Sequence, residues 1–93
     1  MADDIAHDDP YEGAPPIPVE LAGLAESTGR ELLLRVAAVL DRVALADTSG
    51  GTALFVSALH AARGLVEHDD RADVDQPLRY VREQYRTWRE ATT

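Results

Sequence analysis

The chain is 93 residues long and 45% hydrophobic, with 17 acids against nine arginines, no lysine and a net charge of -8. That length suits one domain with a modest core. Cysteine is absent, which excludes disulfides and thiolate metal sites, and no apolar run approaches the roughly 18 residues of a membrane-spanning helix.

The opening stretch MADDIAHDDP is acidic and lacks the basic n-region of a secretory signal, so a cytoplasmic protein is expected. Exclusive use of arginine reads as the codon bias of a GC-rich, bacterial genome or as composition drift. Charge is unevenly spread: residues 1–31 carry -7, residues 32–76 carry -3 and residues 77–93 carry +2. Residues 1–17 combine aspartate clusters, Gly13 and prolines, and read as an extended or disordered, acidic, proline-rich tail. The isolated Ile5, Tyr11 and Ile17 within it are suited to docking on a surface.

Residues 18–93 read as a single all-α domain. The expected architecture is a small antiparallel helical bundle or helical hairpin of three main helices, with a short additional helix ahead of them. Pro18 favours a helix start, and Leu21, Leu24 and Ala25 follow at helical spacing, so a short helix is predicted over about 18–26. Ser27, Thr28 and Gly29 interrupt it. Thr28 with Glu31 has the pattern of a capping box, which predicts a long helix over about 28–46. A continuous helix from 19 to 46 is the alternative, with Gly29 costing about 1 kcal/mol. In the long helix Leu32, Val36, Val39 and Val43 form an apolar face, Leu33, Leu40 and Ala44 widen it, and Glu31, Arg35, Asp41 and Arg42 mark solvent. So broad an apolar surface needs cover from more than one side.

The run from Asp47 to Thr52 is a turn. A helix over about 52–67 follows, with Leu54, Phe55, Ala58, Leu59, Ala62, Leu65 and Val66 at the spacing of a buried face. The acidic connector HDDRADVD leads to a last helix over about 76–91, with Asp75 or Gln76 as cap and Pro77 in the first turn. On that helix Leu78, Val81, Tyr85 and Trp88 share one arc of about 80°, and Arg79, Arg82, Arg86 and Arg89 share an equal arc beside it. Tyr80 lies off both stripes and reads as a partner contact or an ordinary exposed tyrosine.

Three readings compete for the arginine stripe. It is a solvated face with the i,i+4 pairs Arg79–Glu83 and Arg86–Glu90. Or the acidic tail or the 69–75 connector lies across it. Or it meets an external anion, nucleic acid or an acidic partner, for which the planar guanidinium is suited. A net charge of -8 works against nucleic acid, since nonspecific affinity comes mostly from neutralising phosphates.

Other chemistry is thin. Ser57, His60 and Glu67 share a helix, but the acid lies about 10 Å from the histidine along the axis. Glu67, His68, Asp69, Asp70, Asp73 and Asp75 crowd the connector, yet an EF-hand register from Asp73 puts Pro77 and Leu78 where an oxygen ligand and a glycine belong. His7, Asp8 and Asp9 make an adventitious cluster, and TSGGT lacks the lysine of a phosphate loop. No catalytic, cofactor-binding or metal-binding residue is assigned, and no cofactor is expected.

The expected function is therefore that of a non-enzymatic accessory or regulatory protein. It would act through helix-mediated homo-oligomerisation, as a dimer, or by docking on a larger partner protein. Natural scaffolds this small often draw stability from such contacts. The expected partner-binding residues are Val36, Leu40, Val43, Leu78, Val81, Tyr85 and Trp88. Arg79, Arg82, Arg86 and Arg89 are the expected contacts to an anion or acidic partner. The alternatives are a nucleic-acid-associated regulator using the C-terminal arginines and a metal-binding enzyme subunit. No membrane partner is expected.

Overall fold

A computed structural model describes residues 9–92. Within them the chain is all helical, with no strand: α1 spans Ile17–Leu24, α2 Gly29–Ala46, α3 Ala53–His68 and α4 Pro77–Thr92. The all-α class holds, with four helices among the described residues. The short additional helix is α1, and it opens at Ile17 rather than at Pro18 and closes at Leu24. Ile5, His7 and Asp8 lie outside the described residues.

The break between α1 and α2 follows from local chemistry. Thr28 is extended at φ -141°, and Gly29 takes φ +60°, a region that side chains resist. The capping box does not form, because Thr28 makes no side-chain cap bond. Glu31 instead accepts from Ser27 Oγ at 3.0 Å. The turn after α2 is built from its own side chains: Asp47 Oδ1 accepts from Ser49 N–H at 3.1 Å, and Ser49 Oγ accepts from Gly51 N–H at 3.3 Å.

The α2–α3 hairpin is the spine, and α4 packs on both of its helices while α1 lies on α2. One cluster fills the interior: Tyr11, Leu34, Ala37, Ala38, Ala62, Leu65, Val66, Tyr80, Val81 and Tyr85. Alanines at 37, 38, 58 and 62 are all but fully buried, which lets α2 and α3 approach closely.

Which side of α2 points inward differs from the periodicity reading. Leu34, Ala37, Ala38 and Asp41 face the core. Of the expected face Leu32, Val36, Val39 and Val43, Val39 alone is buried, and the other three are half-buried. Asp41, expected in solvent, is 1% exposed, and Arg35 and Arg42 keep only 15% of their side-chain surface. Helical periodicity finds an apolar side, but here it loses to ion pairing across the seam. On α3, Phe55 at the first turn is 52% exposed although it sits in the expected buried pattern. Tyr80 corrects in the other direction: it is 8% exposed and joins the core cluster.

Candidate interaction site

The arginine stripe of α4 is divided by tertiary contacts. Arg82 makes a bidentate pair with Asp41, Nε to Oδ2 at 2.7 Å and Nη2 to Oδ1 at 2.9 Å. Arg89 Nη2 donates to the Gly13 carbonyl at 2.7 Å. Arg79 stays on its own helix, 3.4 Å from Glu83, and Arg86 is exposed. The acid that neutralises Arg82 thus comes from α2, not from the tail or the connector. In the connector, Asp69 is taken by Arg30 and Asp73 by Arg71.

Around Asp41 lies a buried polar layer that reasoning from the sequence missed. Tyr11 Oη donates to Asp41 Oδ2 at 2.6 Å, closing a Tyr–Asp–Arg triad across three segments. Beside it Glu20, 3% exposed, accepts from Arg35 Nη2 at 3.2 Å and from the Tyr85 hydroxyl. Arg42 stands 3.9 Å from Glu20 and donates to the Pro15 carbonyl at 2.7 Å. The Arg35 guanidinium lies 5.0 Å from the Trp88 ring centroid. It also packs against Gly23, where a Cβ would come within 2.3 Å of Nη2.

Each charged side chain in the layer faces an opposite charge, which is how a small fold keeps charge inside, although Arg35 Nε is buried without an acceptor. Burial first, then the bond to Asp41, pushes the Tyr11 phenol far above its usual range. Burial and then Glu20 do the same for Tyr85. The bond to Asp41 raises Arg82 further. One signal in the sequence pointed here: Asp41 stands seven residues after Leu34 and so shares its side of α2, while Arg35 and Arg42, also seven apart, share a side with each other.

A second polar knot ties the connector to the bundle. Arg30 makes a bidentate pair with Asp69, both bonds at 2.7 Å, and reaches Gln84 at 2.9 Å. Tyr80 Oη donates to Asp69 at 2.6 Å. Arg30 holds the Asp69 carboxyl far below the usual carboxylate range. Asp69 is therefore committed to structure. Among the described residues no group of three histidine or acidic side chains is placed to hold a metal ion. Ser57, His60 and Glu67 are all exposed.

What the interior leaves out is apolar. Val19, Leu21, Leu33, Leu45, Phe55 and Val56 are each between 37% and 57% exposed. Val36, Leu40 and Val43 are half-buried. At about 100° per residue they share an arc of about 60°, centred some 140° from the Leu34–Asp41 side. Leu45 ends α2 while Phe55 and Val56 open α3, so these three gather at the turn end of the hairpin. Of the expected edge on α4, Val81 and Tyr85 are 0% and 1% exposed and lie inside the fold. Only Leu78 and Trp88 reach solvent there, each half-buried.

Among the described residues no helix is long and apolar enough to cross a membrane. Comparison of the chain with models of known protein families, with curated proteins and with solved structures finds no match in any of the three.

Proposed function

We propose that this chain is a non-enzymatic accessory or regulatory protein that works by helix-mediated association, as a homo-oligomer or docked on a larger protein. One observation carries the reading: beyond the buried core of Leu34, Leu65, Val66, Val81, alanines and tyrosines, several large apolar side chains stay exposed. Val36, Leu40 and Val43 on the outward side of α2 are half-buried, Leu33 lies on the same side, and Leu45, Phe55 and Val56 are exposed at the turn end of the hairpin. Exposed apolar surface of this kind, where it joins into a patch, marks an association site. Leu78 and Trp88 extend the candidate contacts onto α4. Val81 and Tyr85 serve the fold instead.

The test is sedimentation of a Val36→Asp, Leu40→Asp double variant across concentrations. The expected outcome is a folded chain that no longer self-associates or captures its partner. A variant with wild-type helicity and wild-type sedimentation overturns the reading. A nucleic-acid role draws less support, because Arg82 is engaged by Asp41 and Arg89 by the Gly13 carbonyl.

A further inference from the structure

Residues 9–16 are held the way a bound peptide is held. The anchor is Tyr11, 5% exposed, whose phenol reaches Asp41. Its ring meets Tyr85 edge-on with centroids 5.4 Å apart, and the Arg42 guanidinium lies 5.8 Å from its centroid. Arginines from two different helices grip main-chain carbonyls of the same segment, Arg42 at Pro15 and Arg89 at Gly13, both at 2.7 Å. An aromatic anchor in a pocket, with main-chain groups taken by fixed donors, is a way in which peptide segments are recognised.

The backbone bonds inside this strap are short-range, Glu12 N–H to Asp9 and Ala14 N–H to Tyr11. Pro15 and Pro16 connect it to α1, and paired prolines make a stiff hinge. Nor does the strap fill the surface on which it lies. An open cleft of about 560 Å³ borders it on the Arg86 and Arg89 side, and one of about 490 Å³ on the Ile17 and Leu45 side. Charge complements the seat: the strap carries Asp9 and Glu12, and the cleft walls carry Arg42, Arg86 and Arg89 with Glu90 opposing.

We propose that the seat between α2 and α4 is a docking site for a turn-forming, acidic, tyrosine-bearing segment, and that in the assembly the strap of a second copy takes it in exchange for the chain's own. The proposal rests on the association reading above and supplies one of its contacts. Exchange preserves every contact of the strap. The balance therefore turns on the hinge and on the concentration of copies against the short tether.

The test uses the intact chain. Isotope-labelled and unlabelled chains are mixed at high concentration, and nuclear Overhauser contacts between Tyr11 and Tyr85 are sorted into those within a chain and those between chains. The expected result is an interchain Tyr11–Tyr85 contact that grows with the dimer mass seen in sedimentation. A dimer whose Tyr11–Tyr85 contact is purely internal overturns exchange and leaves association standing; a monomer at every concentration overturns both.

A second arm titrates a peptide of residues 9–16 into the full chain carrying Tyr11→Ala. Trp88, whose ring centroid is 5.6 Å from that of Tyr85, is the chain's only tryptophan and serves as reporter. A saturable change with this peptide, and none with its tyrosine-to-alanine version, supports the docking site. No change with either rejects it. Peptide binding combined with a purely internal contact in the dimer assigns the seat to the chain's own strap and rejects the second copy. The isotope arm needs no substitution and decides the question alone if Tyr11→Ala does not fold.

Discussion

Toward α1 and α4, helix α2 presents Arg35, Asp41 and Arg42, and the fold covers all three almost completely. On its outward side it presents Val36, Leu40 and Val43, and leaves each partly exposed. Charge is covered on one side of this helix while aliphatic groups on the other stay only partly covered. The difference teaches where large aliphatic groups have no room. Alanines at 37, 38, 58 and 62 bring α2 and α3 close, so the hairpin holds few large side chains between its helices. The space toward α4 is taken by tyrosines, whose hydroxyls require partners when buried. Asp41 and Glu20 supply them, and those acids in turn require arginines. The polar layer is the consequence of placing Tyr11 and Tyr85 in the core beside Leu34, Leu65 and Val81.

The comparison is best broken at Asp41. Replacing it with Ala leaves Arg82 and the Tyr11 hydroxyl facing each other without an acceptor. Breaking a buried pair by removing one partner costs about 3–5 kcal/mol, so Asp41→Ala should unfold at much lower denaturant. A midpoint within error of wild type would show that the seam hydrates freely. Joint replacement of Asp41 by Leu and Arg82 by Met should recover much of the loss, since apolar replacement of a whole buried pair is often neutral or better.

The next effect is alkaline. Tyr11, Tyr80 and Tyr85 are all raised above the ordinary phenol value. An acid whose folded-state value is raised lends stability that is complete below its unfolded value, about pH 10, and that is lost as pH rises beyond it. Tyrosinate absorbance should therefore appear together with loss of helicity above that pH. Smooth titration of all three in a folded chain would contradict the buried assignments. At the acid end, Asp69 has a depressed value. Its contribution is complete above about pH 4 and fades as pH falls below that.

A subtler effect separates the seam from helix propensity. Within α1, glycine to alanine ordinarily gains up to about 1 kcal/mol. At Gly23 the new Cβ would displace the Arg35 guanidinium from its place between Glu20 and Ser27. Gly23→Ala should therefore lower the melting temperature, and a rise would mean that Arg35 relocates at no cost. The smallest effect belongs to the outward surface. Phe55→Ser should leave monomer stability within about 0.5 kcal/mol, because Phe55 is half exposed, while weakening association in sedimentation. A large loss of monomer stability would place Phe55 in a core contact.

How much of this was legible depends on the element. The turn at 47–52 and the break near Gly29 were readable because glycine and side-chain acceptors act locally. The stripe of Leu78, Val81, Tyr85 and Trp88 was found by spacing, and two of its members are fully buried. The inward side of α2 was not readable, because periodicity ranks residues by apolarity and cannot see that Asp41 meets a tyrosine 30 residues upstream and an arginine 41 residues downstream. Tyr80 was misplaced for the same reason: its acceptor, Asp69, lies on the preceding connector, and only the fold brings the two together.

From the sequence came the helical class of the described residues and the places where the helices break. Those properties follow from local backbone preference. Tertiary structure alone decided which side of α2 is inside, which arginines are committed, and that residues 9–16 carry a core tyrosine. Those are settled by pairings between groups far apart in the chain, where a buried charge is tolerated only opposite its partner.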